Sequence, residues 1–491
     1  MKSDITLDAG RCSVRDILAI NPLPDKLDPF TAALVGGCDP VSAHQAVTLA
    51  FPILSFLGQH ARVLYSDGTL RWISGQSWQM GGSGSGKSLV LQALEQLFLA
   101  REMREKTENA RMAAAYTMLS AKERRELPVP QQKVRIFDGI PTALALLQQA
   151  QINDGEAIYI SCTECGEFAK KAGNPYYALV FDMMKKSYDG IGSPYLHKTA
   201  DKTYFVSSMR LCSNVGGTIE PMFRIFRQCD SDGTLSRGSL TMLGERKNEQ
   251  ADGAYKAPCW TPEQKRLMWQ AADRLRDFDN RFREHDAAVA DDGLSVEERE
   301  DRLLEERRRR ALCVPEIIAL GGEVKALLAS YGTEVIDDCC SRADERAMGL
   351  AYLLYIANGE TDDVLPEIVS AVRWWVKMSI DCAYALQLAI NREVRSHRDL
   401  VRGNFKMQGI VRVQHEVDEA RDEAFRAFEQ QYEGTEKSLD EMHEIPIFQP
   451  LSLRTIRRLV QQRGYKSVKR GVYLVQSPAT QHLEAACLIL K

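Results

Sequence analysis

Apolar residues recur along this chain with two periods, and the changes of period mark its parts. Residues 43–58 (AHQAVTLAFPILSFLG) are apolar enough for a buried helix, which Pro52 must bend or restart. Val63-Leu64-Tyr65 is a strand with turn residues Ser66-Asp67-Gly68 behind it, and Leu70-Arg71-Trp72-Ile73 and Trp78-Gln79-Met80 are short extended pieces. Val90, Leu94, Leu97 and Phe98 then fall at helical spacing. Residues 91–126 hold no Gly or Pro, so this helix is expected to run far, its charged later part projecting into solvent until Pro128 and Pro130 end it. Residues 133–137 (KVRIF) are a strand, 142–151 a helix, and Ala157-Ile158-Tyr159-Ile160 a strand apolar enough to lie inside a parallel sheet.

Residues 176–189 read as an amphipathic helix stopped by Gly190. Residues 193–198 (SPYLHK) are a loop or hairpin, and 203–206 and 209–214 are extended. From Thr261 the pattern changes. Residues 261–400 are almost free of strand signals, with a capping box at Ser295-Val296-Glu297-Glu298 and apolar helices over 343–357 and 368–388. The run Arg307-Arg308-Arg309-Arg310 behind Glu305 and Glu306 is a salt-laced solvated helix. The expected order is a helical lead-in (1–75), an α/β core (76–250), a helical bundle (251–400) and a small C-terminal module (401–491).

Composition adds limits. The chain has 491 residues, 44% hydrophobic and 26% charged, which is ordinary globular material for two or three domains. Its net charge of −4 excludes a globally basic nucleic-acid binder, so any such contact must come from a local patch. No apolar run approaches a membrane span, and Met1-Lys2-Ser3-Asp4-Ile5 carries no signal-peptide core. Twelve scattered cysteines predict reduced thiols and a cytoplasmic protein. Cys162 and Cys165 form a lone C-x-x-C with no second pair at ligand spacing, which favours burial over zinc.

The candidate chemistry begins at Gly81-Gly82-Ser83-Gly84-Ser85-Gly86-Lys87-Ser88, which fits G-x-x-x-x-G-K-[ST] at every defined position. Glycines let the backbone turn its N–H groups onto a phosphate. Lys87 reaches the outer phosphates, Ser88 offers a hydroxyl to Mg²⁺, and the following helix aims its positive end at the anion. These residues predict an ATP and Mg²⁺ site.

Open α/β sheets place their chemistry at strand ends. Residues 157–160 lead to Thr163-Glu164, where such ATPases commonly carry Asp-Glu. Glu164 is the candidate catalytic base and Glu167 the alternative, against a reading of both as loop surface carboxylates. Asn214, before Gly216-Gly217, is a candidate γ-phosphate sensor or a turn residue. Arg237, taken to lie past the last sheet strand, is a candidate arginine finger, with Arg224 and Arg227 as competitors.

No acidic residue falls between Leu451 and Thr480. A helix over 453–463 followed by a basic two-stranded wing (466–469 and 471–475) is the winged-helix order. Arg454, Arg457, Arg458, Lys466, Lys469 and Arg470 are the candidate DNA contacts, although such modules also bind proteins.

Taken in order, these parts resemble the P-loop ATPase family of phages, plasmids and integrated mobile elements, often found beside or fused to primases. The resemblance runs over residues 27–391. It rests on the glycine-rich loop, Phe137-Asp138-Gly139-Ile140-Pro141, Thr163-Glu164, Ser187-Tyr188-Asp189-Gly190, Asn214-Val215-Gly216-Gly217 and Leu235-Ser236-Arg237. It implies a P-loop α/β core and a helicase-like, ring-forming ATPase, possible as a hexamer, that works on DNA with a separate primase or initiator. One sequence does not fix the sheet order as AAA+-like or RecA-like, and the polar strand end at Asn214 followed by Arg237 leans to the AAA+ type. Thr163 departs from the acidic residue usual at that place. Two rival classes are a non-motor ATP-switched assembly protein and a regulatory or defence ATPase.

Overall fold

The computed structural model describes residues 17, 20–82, 85–126, 133–153, 155–166, 169, 175–189, 195–198, 203–206, 209–228, 233–243, 257–290, 295–331, 340–391, 428–445, 448, 456–457, 460, 465–469 and 472–475. They divide into two compact units, residues 1–405 and 406–491.

The first unit opens with helices α1 (Pro29–Gly36) and α2 (Ala43–Leu57) and strands β1 (Arg62–Leu64), β2 (Leu70–Trp72) and β3 (Gln76–Met80). Helices α3 (Lys87–Phe98), α4 (Ala100–Met118) and α5 (Ala121–Glu126) lead to β4 (Ile136–Asp138), α6 (Ala143–Ile152), β5 (Ile158–Cys162) and α7 (Pro175–Tyr188). Then come β6 (Tyr195–Lys198), β7 (Thr203–Val206), β8 (Leu211–Gly217), α8 (Ile219–Gln228), α9 (Thr234–Arg237) and β9 (Ser239–Met242).

Five of these strands form one sheet in the order β4-β5-β8-β3-β9, and every pairing is parallel. All residues of β3, β5, β8 and β9 are buried, as strands covered on both faces must be. β6 and β7 pair as an antiparallel hairpin, and β1 and β2 as another. The sheet is therefore a parallel α/β core, compatible with a phosphate loop after β3.

One face of the sheet is covered by α2, buried at every position. It runs through Pro52 as a single helix. The chain before β3 comes so near that a Cβ on Gly75 would lie 2.7 Å from Pro52 Cα. The expected long helix over 91–126 is instead three. Leu99, fully buried, breaks it at φ −107°, ψ 16°, and Leu119 breaks it again in extended geometry. Burying Leu99 turns the chain where helix propensity alone would carry it on.

After β9 the unit is helical: α10 (Pro262–Ala290), α11 (Val296–Arg310), α12 (Pro315–Tyr331), α13 (Ala343–Ala357) and α14 (Leu365–Asn391). The capping box at Ser295 and Glu298 is formed, and Arg309 pairs with Glu305 (2.6 Å) and Glu306 (3.2 Å) along α11. The helical layer is fastened to the sheet through His44 of α2. Its Nδ1 lies 3.1 Å from Thr241 Oγ1 on β9, and its Nε2 lies 3.2 Å from both the Trp375 carbonyl and Ser379 Oγ on α14. No helix among the described residues is long and apolar enough to cross a membrane.

The second unit contains β10 (Glu436–Ser438), α15 (Leu439–Glu444), β11 (Lys466–Lys469) and β12 (Val472–Leu474). Its antiparallel sheet has the order β10-β12-β11. The expected hairpin is present, with an irregular register at Val468. The third strand, Glu436-Lys437-Ser438, carries no apolar residue to announce it. A core of residues including Phe428, Met442, Phe448, Ile456, Val460 and Tyr473 holds the unit together.

Burial holds the His44 imidazole down at about 4 from an ordinary value of 6.5, with the Trp375 carbonyl opposing the shift. Between those values the unfolded chain binds a proton that the folded chain refuses. The stability is therefore present above pH 6.5 and is lost as pH falls toward 4. From this group the first unit should lose on the order of 2 kcal/mol between pH 7.5 and pH 5. Urea denaturation of His44→Asn at the two pH values should show a correspondingly smaller drop. Parallel losses in both proteins would remove His44 as the cause.

Candidate phosphate-binding site

β3 ends at Met80, and the loop leaves the sheet beneath a hydrogen bond from Gly81 N–H to the Gly217 carbonyl at the end of β8 (3.3 Å). A Cβ on Gly81 would lie 2.6 Å from Ser85 Oγ and 3.0 Å from Leu243 Cβ, so the turn admits no side chain there. Ser85 N–H donates to the Gly82 carbonyl (3.2 Å), and Gly86 takes the left-handed conformation at φ 82° just before α3. Ser83 and Gly84 lie outside the described residues.

Lys87, only 6% exposed, curls back over the loop and donates from Nζ to the carbonyls of Gly81 (3.2 Å) and Gly82 (2.9 Å). Burial lowers its pKa, while Glu164 and then Cys165 act to raise it. Its own carbonyl accepts from Gln79 Nε2 of β3 (2.8 Å) and Gln45 Nε2 of α2 (3.2 Å), which pins the start of α3 from two sides. Ser85 Oγ is buried with no partner among the described residues, and Ser88 is half-buried. A tight glycine turn, an ammonium aimed into it and an orphaned hydroxyl are a donor set that fits a nucleotide phosphate.

Glu164 comes to the same place from β5, with β8 standing between β5 and β3. Two glycines make the approach possible. A Cβ on Gly216 would lie 3.2 Å from the Thr163 carbonyl, and one on Gly217 would overlap Cys165 Sγ. Without those atoms, residues 163–165 cross the end of β8, held by Cys165 N–H donating to the Gly216 carbonyl (2.9 Å). Glu164 is then 68% exposed, with Oε1 3.9 Å from Lys87 Nζ. Thr163 is half-buried, and Glu167 lies outside the described residues. Cys162 and Cys165 are buried free thiols, the latter pushed up to about 12 mainly by burial. Among the described residues no cluster of His, Cys, Asp and Glu is arranged to hold a metal.

Asn214 stands in the middle of β8, level with Ser77 on β3 and Ser161 on β5, and not at the strand end. It is fully buried, and both its amide functions are engaged. Ser77 Oγ donates to Oδ1, and Nδ2 donates to the Leu49 carbonyl (3.0 Å) and Tyr159 OH (2.7 Å). The residue that follows β8, where a polar side chain would face the loop, is Thr218, half-buried.

The placement of Arg237 is corrected. It precedes the fifth strand, β9, instead of following the last one. β9 is missed in the sequence because Ser239 and Thr241 are polar yet buried. Arg237 meets Asp189 as a fork on a fork, Nε to Oδ1 and Nη2 to Oδ2, both 3.0 Å, and Nη1 donates to the Gly233 carbonyl (3.1 Å). Arg224 is exposed and pairs with Glu220 (3.3 Å). Arg227 lies on α8, its side chain outside the described residues. In the second unit Arg457 is exposed, and Lys466 and Lys469 lie on β11. Arg454, Arg458 and Arg470 fall outside the described residues.

Sequence reasoning missed Gln45, Gln79 and the pair Glu95–Tyr159 (2.9 Å) beneath the loop. The signal available was a polar residue in an otherwise apolar stretch, as Tyr159 and Gln79 are. No protein-family model matches the chain, and a search of curated proteins finds no match.

Arg237 and Asp189 should behave as one unit in a double-mutant cycle. Arg237→Ala and Asp189→Ala should each cost about 1–3 kcal/mol in urea denaturation. The double variant should cost less than their sum by about 1–2 kcal/mol. Strict additivity would show that the clamp contributes nothing.

Proposed function

We propose that this chain is an ATPase that acts on DNA, a helicase, translocase or replication initiator of a mobile genetic element. The observation that carries the ATPase part is the convergence of Lys87, from the loop after β3, and Glu164, from the loop after β5, at 3.9 Å. A cation for the outer phosphates and an exposed carboxylate able to accept a proton from water are what phosphoryl transfer to water needs. Lys87 neutralises charge on the phosphate oxygens. Glu164 orients water and takes its proton. Ser88 would hold Mg²⁺, which supplies charge shielding on the phosphates when bound.

The finer reading is an AAA+-like core. It rests on strand β8 lying between the loop strand and the carboxylate strand, on an arginine between α8 and β9, and on the helical layer that follows. For the second unit the reading is a winged helix that holds DNA. It is supported by the three-stranded antiparallel sheet, by Ile456 and Val460 packing in the unit's core while Arg457 is exposed, and by the absence of acids in 452–479. Assembly into a ring would let Arg237 act on a neighbour's nucleotide, and the β6–β7 hairpin would face the strand. A separate primase or initiator would complete the system.

Two observations favour a second reading, in which ATP switches assembly without driving a motor. Arg237 is held within its own chain by Asp189, and Thr163 stands where a metal-orienting carboxylate is usual.

ATP turnover with and without single-stranded DNA decides between them. The motor reading expects stimulation by DNA. It also expects loss of ATP binding in Lys87→Ala, and a fall of about 100-fold or more in turnover with binding retained in Glu164→Gln. ATP binding through Lys87 with no turnover on any DNA would sink the motor and leave the switch.

A further inference from the structure

Below the phosphate site runs a buried polar circuit that the proposed chemistry does not use. Glu95 lies on α3, about two turns beyond Lys87, and is 6% exposed. Its Oε1 accepts from the Tyr159 phenol (2.9 Å), and the Ser161 hydroxyl, on the same strand, favours its charged form. Tyr159 and Ser161 are both on β5, whose chain continues through Cys162 and Thr163 to Glu164. The phenol oxygen accepts from Asn214 Nδ2 on β8 (2.7 Å), and Asn214 Oδ1 accepts from Ser77 on β3, the strand that delivers the loop. One chain of hydrogen bonds thus joins the helix that begins with Lys87 to all three strands beneath the site.

A carboxylate is an expensive filler for this space. Burial pushes the Glu95 carboxyl above its ordinary value, against the pull of the Ser161 and Tyr159 hydroxyls. An apolar side chain would cover β5 without that cost. What the carboxylate adds is direction. The hydrogen bond from Tyr159 fixes where α3 sits along β5, which packing alone allows to slide. The two ends of that register are Lys87 and Glu164, and a shift of about 1 Å between reacting groups costs up to about 100-fold in rate.

We propose that Glu95 is a positioning residue: its hydrogen bond with Tyr159, continued through Asn214 to Ser77, sets Glu164 against Lys87 and carries the state of the phosphate loop to β5. The inference rests on the nucleotide reading above. It gives Asn214 a role as a link in this circuit.

The test uses the full chain and measures kcat for ATP turnover beside the Kd of a fluorescent ATP analogue. Glu95→Ala and Tyr159→Phe should lower kcat by about tenfold or more with Kd changed less than about threefold. Glu95→Gln should recover to within about threefold of the parent, because an amide oxygen still accepts from Tyr159. It also guards against a failure of Glu95→Ala to fold. Equal losses in kcat and in affinity, or no rescue by Gln, would overturn the proposal. A parent that binds ATP without turnover defeats the hydrolysis reading alone, and amide hydrogen exchange then decides. ATP should slow exchange in residues 158–162 of the parent and of Glu95→Gln but not of Glu95→Ala, and the same protection in all three overturns the link. A chain that binds no ATP ends both.

Discussion

Lys87 and Glu164 start from strands that are not neighbours. Two strand spacings, roughly 9–10 Å, separate β3 from β5, and β8 fills the gap. The groups can meet only if the chain after β5 leans across the end of β8, and that end must then present almost no side chain. Gly216 and Gly217 satisfy the condition, and the same two residues receive the hydrogen bonds that fix the crossing loop and the start of the phosphate loop. The chain after β5 is thus shaped by two absent Cβ atoms on β8, and the backbone carbonyls of the same two residues hold both loops.

How much of this was legible in the sequence follows from how local each signal is. The glycine-rich loop is a contiguous pattern whose meaning is carried by its own backbone, and the helix and strand around it formed where apolar spacing put them. Gly216 and Gly217 were visible only as a possible turn, because the chain that needs their missing Cβ atoms lies about fifty residues earlier. Asn214 looked like a strand-end residue for the same reason: β8 continues through both glycines, so its end falls three residues later. β9 escaped because its polar residues Ser239 and Thr241 are buried, Thr241 against His44 on α2. The break at Leu99 is another tertiary override, where burial of one leucine outweighs helix propensity on both sides.

The core also carries more buried polarity than its hydropathy pattern suggests. His44 ties β9 to α14, Gln45 and Gln79 hold the first turn of α3, and the Gln59 side-chain oxygen accepts from the N–H of Ala157 just before β5. Such groups are costly unless each is paired, and once paired they fix one arrangement where apolar contacts would accept several. The result is a sheet and two helices held in defined register beneath a loop whose work depends on register.

The clamp between Arg237 and Asp189 has a consequence for association. With about 2 kcal/mol for a bidentate, partly buried pair, only a few per cent of molecules hold the guanidinium free at any moment. A second molecule that recruits Arg237 binds about 30-fold more weakly than its own contacts would allow. For any such second molecule the penalty shrinks in added salt, which loosens the pair.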